Sequence, residues 1–257
     1  MQGLGFSKRS DREVDGFGED EPEACIEDPD FTLRFAAVRR APHRGGMHDF
    51  DSRAAERMPG IEKIVDLGDG IAVIATNTWL AQQAADAVEI RWQGASGYPS
   101  TTEAMFEAMA EAFDGEVDST LRDDGRTDTV NGDLEVSAEY RVPFVAHAPM
   151  EPMTAAALID AEGLKIWAGS QAPLFAARAC AEAAGVSDDR VQFTTTYMGG
   201  AFGRRGELDF AVIATRIARA VPGTPVQVTW SREEDMTHDF YRPGAIARLR
   251  GGIAGGK

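Results

Sequence analysis

Phe31, Leu33, Phe35 and Ala37 occupy every second position of FTLRFAAVRR (31–40), the period at which strand side chains return to one face. A turn with Pro42, Gly45 and Gly46 follows, then DSRAAERM, a short helix with Asp51 as its N-cap and Pro59-Gly60 as its stop. GIAVIATN (70–77) is continuously apolar and predicts a buried strand, followed by the helix TWLAQQAADAV opened by Asn77 or Thr78. VEIRWQG (88–94) returns to alternation, with Val88, Ile90 and Trp92 on one face. Residues 31–94 therefore predict a compact α+β unit.

GASGYPSTT interrupts the pattern, and Ser100 with Glu103 forms a capping box for the helix TTEAMFEAMAEAF (101–113). Glu103, Glu107 and Glu111 share a face that must be solvated. Residues 114–133 predict loop. A second patterned region begins at Leu134, with LEVSAEYRVPFVAH, TAAALID and LKIWAG reading as strands. PLFAARACAEAAG is a helix started by Pro173 and closed by Gly185. RVQFTTTYM (strand), GGAFGRR (loop), ELDFAVIATRIARAV (helix) and PVQVTW (strand) complete the order. That last helix is apolar almost all round, Arg216 and Arg219 excepted, and should be buried. The organisation is an acidic lead-in (1–30), a first unit (31–94), an acidic linker with one helix (95–133) and a second unit (134–257), the two units folding separately.

Charge sharpens this division. The net charge is −16, and two segments carry most of it: 1–30 has 10 acidic and 3 basic residues, 101–128 has 9 and 2. Such a surface repels a phosphate backbone, which excludes general nucleic-acid binding. The opening residues lack the apolar core of a secretory signal, and no run is long enough to span a bilayer. Cys25 and Cys180 are too few for a disulfide framework or an iron–sulfur cluster, and both are expected reduced and unlinked.

Three segments could carry chemistry. Gly199-Gly200-Ala201-Phe202-Gly203-Arg204-Arg205 lies between a strand and a buried helix; its glycines allow close backbone approach, and the helix starting near Glu207 adds positive potential. Arg204 and Arg205 could bond phosphate or oxo groups. Taken alone, such a loop is more often a tight turn with two surface arginines. In HAPMEPM (147–153), His147 and Glu151 have helical metal-site spacing, but Pro149 and Pro152 forbid the helix; a proline-fixed turn with local hydrogen bonds is the better reading. Gly169-Ser170-Gln171 ends a strand before a proline-started helix.

In this order, HAPMEPM, WAGSQAP, YMGGAFGRR and WSREEDMTHDFYRP resemble the molybdenum-cofactor-binding subunit of the xanthine dehydrogenase/aldehyde oxidase family, on its isoquinoline 1-oxidoreductase-like branch. FAAVRRAP and MPGIEKIVD resemble that family's α/β hammerhead domain. The resemblance covers roughly 31–257. It implies an α+β fold: a hammerhead-like domain, then the first part of a molybdenum-cofactor-binding domain.

The resemblance also implies hydroxylation of aldehydes or N-heterocycles with water as the oxygen source. The cofactor is molybdopterin cytosine dinucleotide with molybdenum, and electrons leave through iron–sulfur clusters on a small partner subunit. Gln171 matches the glutamine that hydrogen-bonds an oxo ligand of the metal. Gly199, Gly200, Ala201, Phe202 and Gly203, followed by Arg204 and Arg205, match the cofactor loop; no residue of this chain is expected to ligate the metal directly. Gly206 stands where some members carry a substrate-binding glutamate, which argues against purine chemistry. The family's general-base glutamate belongs to a late GxGE-type motif, absent before the chain ends at GGIAGGK, so no catalytic residue is assigned. The expectation is a truncated gene product, an engineered cut, or one half of a split subunit that needs its C-terminal remainder. Relatives on this branch are often exported folded; no such signal is present here, leaving a periplasmic or cytoplasmic parent. Two readings follow: part of a molybdenum hydroxylase, inactive alone, or a non-catalytic binding or assembly module on the same fold.

Overall fold

RFAAVRR and GIAVIA lie side by side inside a seven-stranded sheet, where the middle of each is apolar on both faces. The computed structural model describes residues 32–42, 45–94, 101–125 and 134–253. The expectations for the acidic lead-in, Cys25, Ser100 and residues 126–133 fall outside them. The large sheet runs β3 (Ile61–Asp66), β4 (Gly70–Ala75), β1 (Arg34–Arg40), β10 (Val226–Thr229), β7 (Thr154–Ile159), β8 (Leu164–Ala168) and β9 (Val191–Thr195). β1–β10 and β8–β9 are parallel, and the other pairs are antiparallel. The architecture is α+β, as expected.

Strand alternation divides the buried residues between two cores. Ala36, Val38, Ala72 and Ile74 join one face, with Ala155, Ala157, Ile166 and Val228, beneath α4 (Pro173–Ala184) and α5 (Asp209–Arg219). Ala37, Ile71, Val73 and Ala75 join the opposite face, beneath α1 (Arg53–Glu56) and α2 (Thr78–Asp86). Coverage on both sides explains why the central positions of these strands are apolar without alternation. Helix α5 buries Phe210, Ile213 and Ile217, each contributing about 1.5–3 kcal/mol. The two arginines expected to interrupt its apolar surface reach neighbouring backbone: Arg219 Nη1 donates to Ala183 O at 2.8 Å, and Arg216 donates to Leu67 O.

The joint between the two patterned regions differs from the expected linker between separate folding units. Strand β1 of the first hydrogen-bonds in register with β10 of the second, Arg34 opposite Val226 and Ala36 opposite Val228. Lys63 Nζ also donates to Ala220 O at 2.6 Å. Leu33–Lys257 is one compact unit. The sequence pattern of each strand reports burial, not its neighbour, so the acidic stretch between the regions resembles a domain boundary without being one.

Other boundaries shift for local reasons. Asp51 ends a strand instead of capping α1: β2 (Gly46–Asp51) pairs with β5 (Glu89–Gln93), and Ser52 takes the N-cap position. Helix α3 (Thr102–Glu111) is capped by Thr101, whose Oγ1 accepts from Ala104 N–H at 3.1 Å, and Glu103, Glu107 and Glu111 are exposed. β2, β3, β11 (Ala245–Ile253) and α6 (Arg232–Thr237) lack a clean apolar period, and the sequence pattern does not predict them. β11 pairs with β6 (Leu134–Val142) in a separate, largely exposed ribbon, over which Arg248 Cζ sits 4.2 Å from the Phe113 ring centroid.

Cys180 is fully buried and unlinked, and burial pushes its thiol from 9.0 up to about 11. It should therefore resist thiol reagents in the folded protein and react once denatured; rapid labelling of native protein would contradict this placement. Below pH 9 the thiol is neutral in both states. Between about 9 and 11 only the unfolded thiol ionises, so stability should fall by about 2–3 kcal/mol across that window. A pH series of denaturant melts on Cys180→Ala, which should lack this component, checks it.

Candidate functional site

Four stretches separated in sequence meet around the glycine loop: 147–153, 169–171, 199–206 and 230–239. Arg205 joins the first three. Its side chain is wholly buried, and a buried guanidinium must find acceptors for its fan of N–H groups. Nε donates to Gly200 O at 3.0 Å and Nη1 to Gly169 O at 3.4 Å. Nη2 donates to Glu151 O and Pro152 O, both at 3.3 Å, and lies 3.1 Å from Glu151 Oε1.

Arg204, equally buried, faces the other way. It forms a bidentate pair with Asp209 at 2.9 and 3.0 Å, sits 5.5 Å from the Trp230 ring and 5.4 Å from the Phe240 ring, and brings Nε to 3.1 Å from Asp239 Oδ1. The Nε contact is an ion pair without hydrogen-bond alignment. These placements correct the expectation that the two arginines offer their guanidinium groups to a ligand. Both turn inward, because the following Arg204–Gly206 turn and α5 pull them beneath the loop. Helix α5 begins at Asp209, two residues after Glu207, and its first-turn carboxylate offsets the positive end of the helix dipole.

The remaining contacts hold the loop from the sides. Glu151 Oε2 accepts from Gly199 N–H at 2.6 Å, and Glu151 N–H donates to Gly199 O at 3.1 Å. Gln171 N–H donates to Arg205 O at 2.9 Å, while Gln171 Oε1 accepts from Gly203 N–H at 3.1 Å. His147 gives both its backbone N–H and its Nδ1 to the Asp239 carboxylate, the latter at 3.0 Å. His147 and Glu151 thus bond across the site, not within their own turn as the prolines suggested. Arg232 Nη2 donates to Met150 O at 2.8 Å and Nη1 to Asp235 Oδ2 at 2.7 Å, tying α6 to the same turn. Burial raises the Asp235 carboxyl above its ordinary value, against the pull of Arg232. Burial opposes charge on His238, but its bond to Glu234 and that group's charge prevail and raise it.

The loop's backbone is bent to its task. Gly200 and Gly203 have φ of 108° and 104°, which L side chains rarely adopt, and a Cβ on Gly199 would fall 2.6 Å from Glu151 Cβ. Phe202, exposed, holds φ 53° at a cost of about 1–3 kcal/mol. With Gly199, Gly203 and Arg204 amides engaged, the successive N–H groups of Gly200, Ala201 and Phe202 donate to no protein group among the described residues. Consecutive free amides of this kind form a cradle for anionic or oxo acceptors. The side-chain amide N–H2 of exposed Gln171 adds a donor at the same edge. Met150, Tyr197, Phe202, Leu174 and Phe175 are exposed on the segments that border the loop.

The structure brings Gln171 and Gly199–Gly203 together through the Gly203 N–H to Gln171 Oε1 bond. The sequence pattern assigns no role to Asp209, Trp230 or Asp239, although Trp230 and Asp239 lie within WSREEDMTHDFYRP. The signal that could have found them is the need of two adjacent arginines before a buried helix for nearby carboxylates.

Known proteins are similar to this chain over most of its length. The chain is 26% identical over 237 residues to the beta subunit of isoquinoline 1-oxidoreductase from Brevundimonas diminuta, covering 86% of this chain and 30% of that protein. It is 27% identical over 173 residues to the molybdenum-binding subunit of xanthine dehydrogenase from Escherichia coli O157:H7, covering 65% and 23%. Among solved structures, the aldehyde oxidoreductase from Desulfovibrio desulfuricans superposes with a TM-score of 0.66 at 17% identity, covering 86% and 30%. The chain thus spans about a third or less of these relatives. The molybdopterin cofactor-binding domain model matches residues 113–255, more than half of the sequence and every segment that meets at the loop, and the chain belongs to that family.

Proposed function

We propose that this chain is the loop-bearing portion of a molybdenum hydroxylase subunit that oxidises aldehydes or N-heterocycles. The observation that carries this reading is the row of unengaged donors, Gly200, Ala201 and Phe202 N–H, on a loop whose other polar groups are committed to holding it. The residues fit the group: at φ 108°, with a Cβ that would lie 3.2 Å from Pro149 Cβ, Gly200 keeps the loop on the path that leaves its amides unengaged. The loop and Gln171 would hold molybdopterin cytosine dinucleotide with molybdenum. That cofactor supplies two-electron oxidation with water as the oxygen source. Three fixed amides and one side-chain amide stabilise negative charge without reorganising during the reaction. An iron–sulfur small subunit would take the electrons, and the C-terminal remainder of the molybdenum subunit would complete the site.

A second reading, a binding or assembly module without turnover of its own, draws on Glu151. Its carboxylate bonds the loop directly, one oxygen to Gly199 N–H and the other beside Arg205. Both contacts serve to hold the loop, which gives Glu151 a structural duty there. The purified chain alone should therefore oxidise neither an aldehyde nor an N-heterocycle with an artificial electron acceptor. Measurable turnover would mean that another residue supplies the base.

Two variants test the cofactor reading. Gln171→Ala removes the acceptor of Gly203 N–H and one outward donor, a loss of about 0.5–1.5 kcal/mol at a partly solvated site. Melting temperature should barely move while molybdenum retention falls. Gly203→Val places a branched side chain at φ 104°, with its Cβ 3.3 Å from His147 Nε2, and should abolish molybdenum retention with a stability loss of about 1–3 kcal/mol. Elemental analysis after cofactor loading reads both; full molybdenum in both variants contradicts the assignment.

A further inference from the structure

Asp239 is 3% exposed; its carboxylate accepts from His147 N–H and His147 Nδ1–H and forms an ion pair with Arg204 Nε. A carboxylate that accepts from Nδ1 fixes the proton on that nitrogen. With the proton on Nδ1, Nε2 is left as the acceptor of the ring, and Arg204, shared with Asp209, lies beside the same carboxylate. The ring is nearly buried, with 10% of its side chain exposed, so it cannot swing away. Its Nε2 has no hydrogen-bond partner among the described residues. It lies where a Cβ on Gly203 would be 3.3 Å away, against the loop backbone.

We infer that His147 is a further binding residue of the loop, its Nε2 accepting a hydrogen bond from an N–H or O–H of the bound ligand, with Asp239 as its positioning residue. The loop amides and Gln171 N–H2 are all donors; His147 supplies the acceptor that a proton-bearing heterocycle such as a pterin also needs. This deepens the cofactor reading and rests on it. It also explains why a glycine is required at 203, where any side chain would screen Nε2 from the loop.

The test has two arms. Long-range proton–nitrogen NMR of the full chain should show His147 as the Nδ1–H tautomer; an Nε2–H tautomer overturns the inference. Diethyl pyrocarbonate, which acylates unprotonated accessible ring nitrogens, should modify His147 in the cofactor-free chain. Loading with molybdopterin cofactor released from a donor molybdoenzyme should slow that modification at least about tenfold, while exposed His48 reacts unchanged. Bound molybdenum with undiminished His147 modification, or no modification of His147 at any stage, overturns the proposal alone. Failure to retain molybdenum overturns the cofactor reading and this inference with it.

Discussion

The site depends on burying one guanidinium. Arg205 has no exposure, and a charge so placed is tolerated only when its donors are satisfied. Its acceptors are carbonyls of Gly200, Gly169, Glu151 and Pro152 and the carboxylate of Glu151, drawn from three segments. Satisfying it therefore forces those segments together and sets the path of the glycine loop. Lysine could not do this, since a compact ammonium cannot reach acceptors spread around a planar fork. The adjacent Arg204 performs the same service on the opposite side, fastening the loop to α5 through Asp209 and to residues 230–240 through Asp239 and the Trp230 and Phe240 rings.

The sheet gives these contacts a rigid base. Gln171 follows β8, the glycine loop follows β9, and Trp230 follows β10, whose parallel pairing with β1 bonds the first patterned region to the second. Helix α5 covers this sheet with a nearly continuous apolar surface, so the turn that precedes it cannot drift. The strain at Phe202 and the positive φ of Gly200 and Gly203 persist because the surrounding hydrogen bonds over-determine them. The result is a loop whose outward amides are held ready while its inward groups are spent on structure.

Much of this is legible in the chain. Apolar runs announce β4 and α5, Pro173 and Gly185 bound α4, and Gly199–Gly203 with Gln171 stand out as a loop and its neighbour. What pattern cannot show is pairing. Nothing in RFAAVRR says that its partner is VQVT, far along the chain, so one sheet reads as two units. Nor does a pair of arginines after a glycine loop declare which way it points; only the positions of Asp209, Glu151 and Asp239 decide that. β3 and β11 leave no clear period, the first because of a bulge at Ile61/Lys63 and the second because both its faces are exposed.

Arg205 holds the glycine loop in its donor-presenting shape, and amide-resolved hydrogen exchange on Arg205→Lys tests this most directly. Gly199 and Gly203 amides, bonded to Glu151 and Gln171, should exchange at least about tenfold faster in the variant, equivalent to about 1.4 kcal/mol of lost local stability. Amides of the β4 core should be unaffected. Unchanged protection at Gly199 and Gly203 in a folded variant would contradict the central role of Arg205.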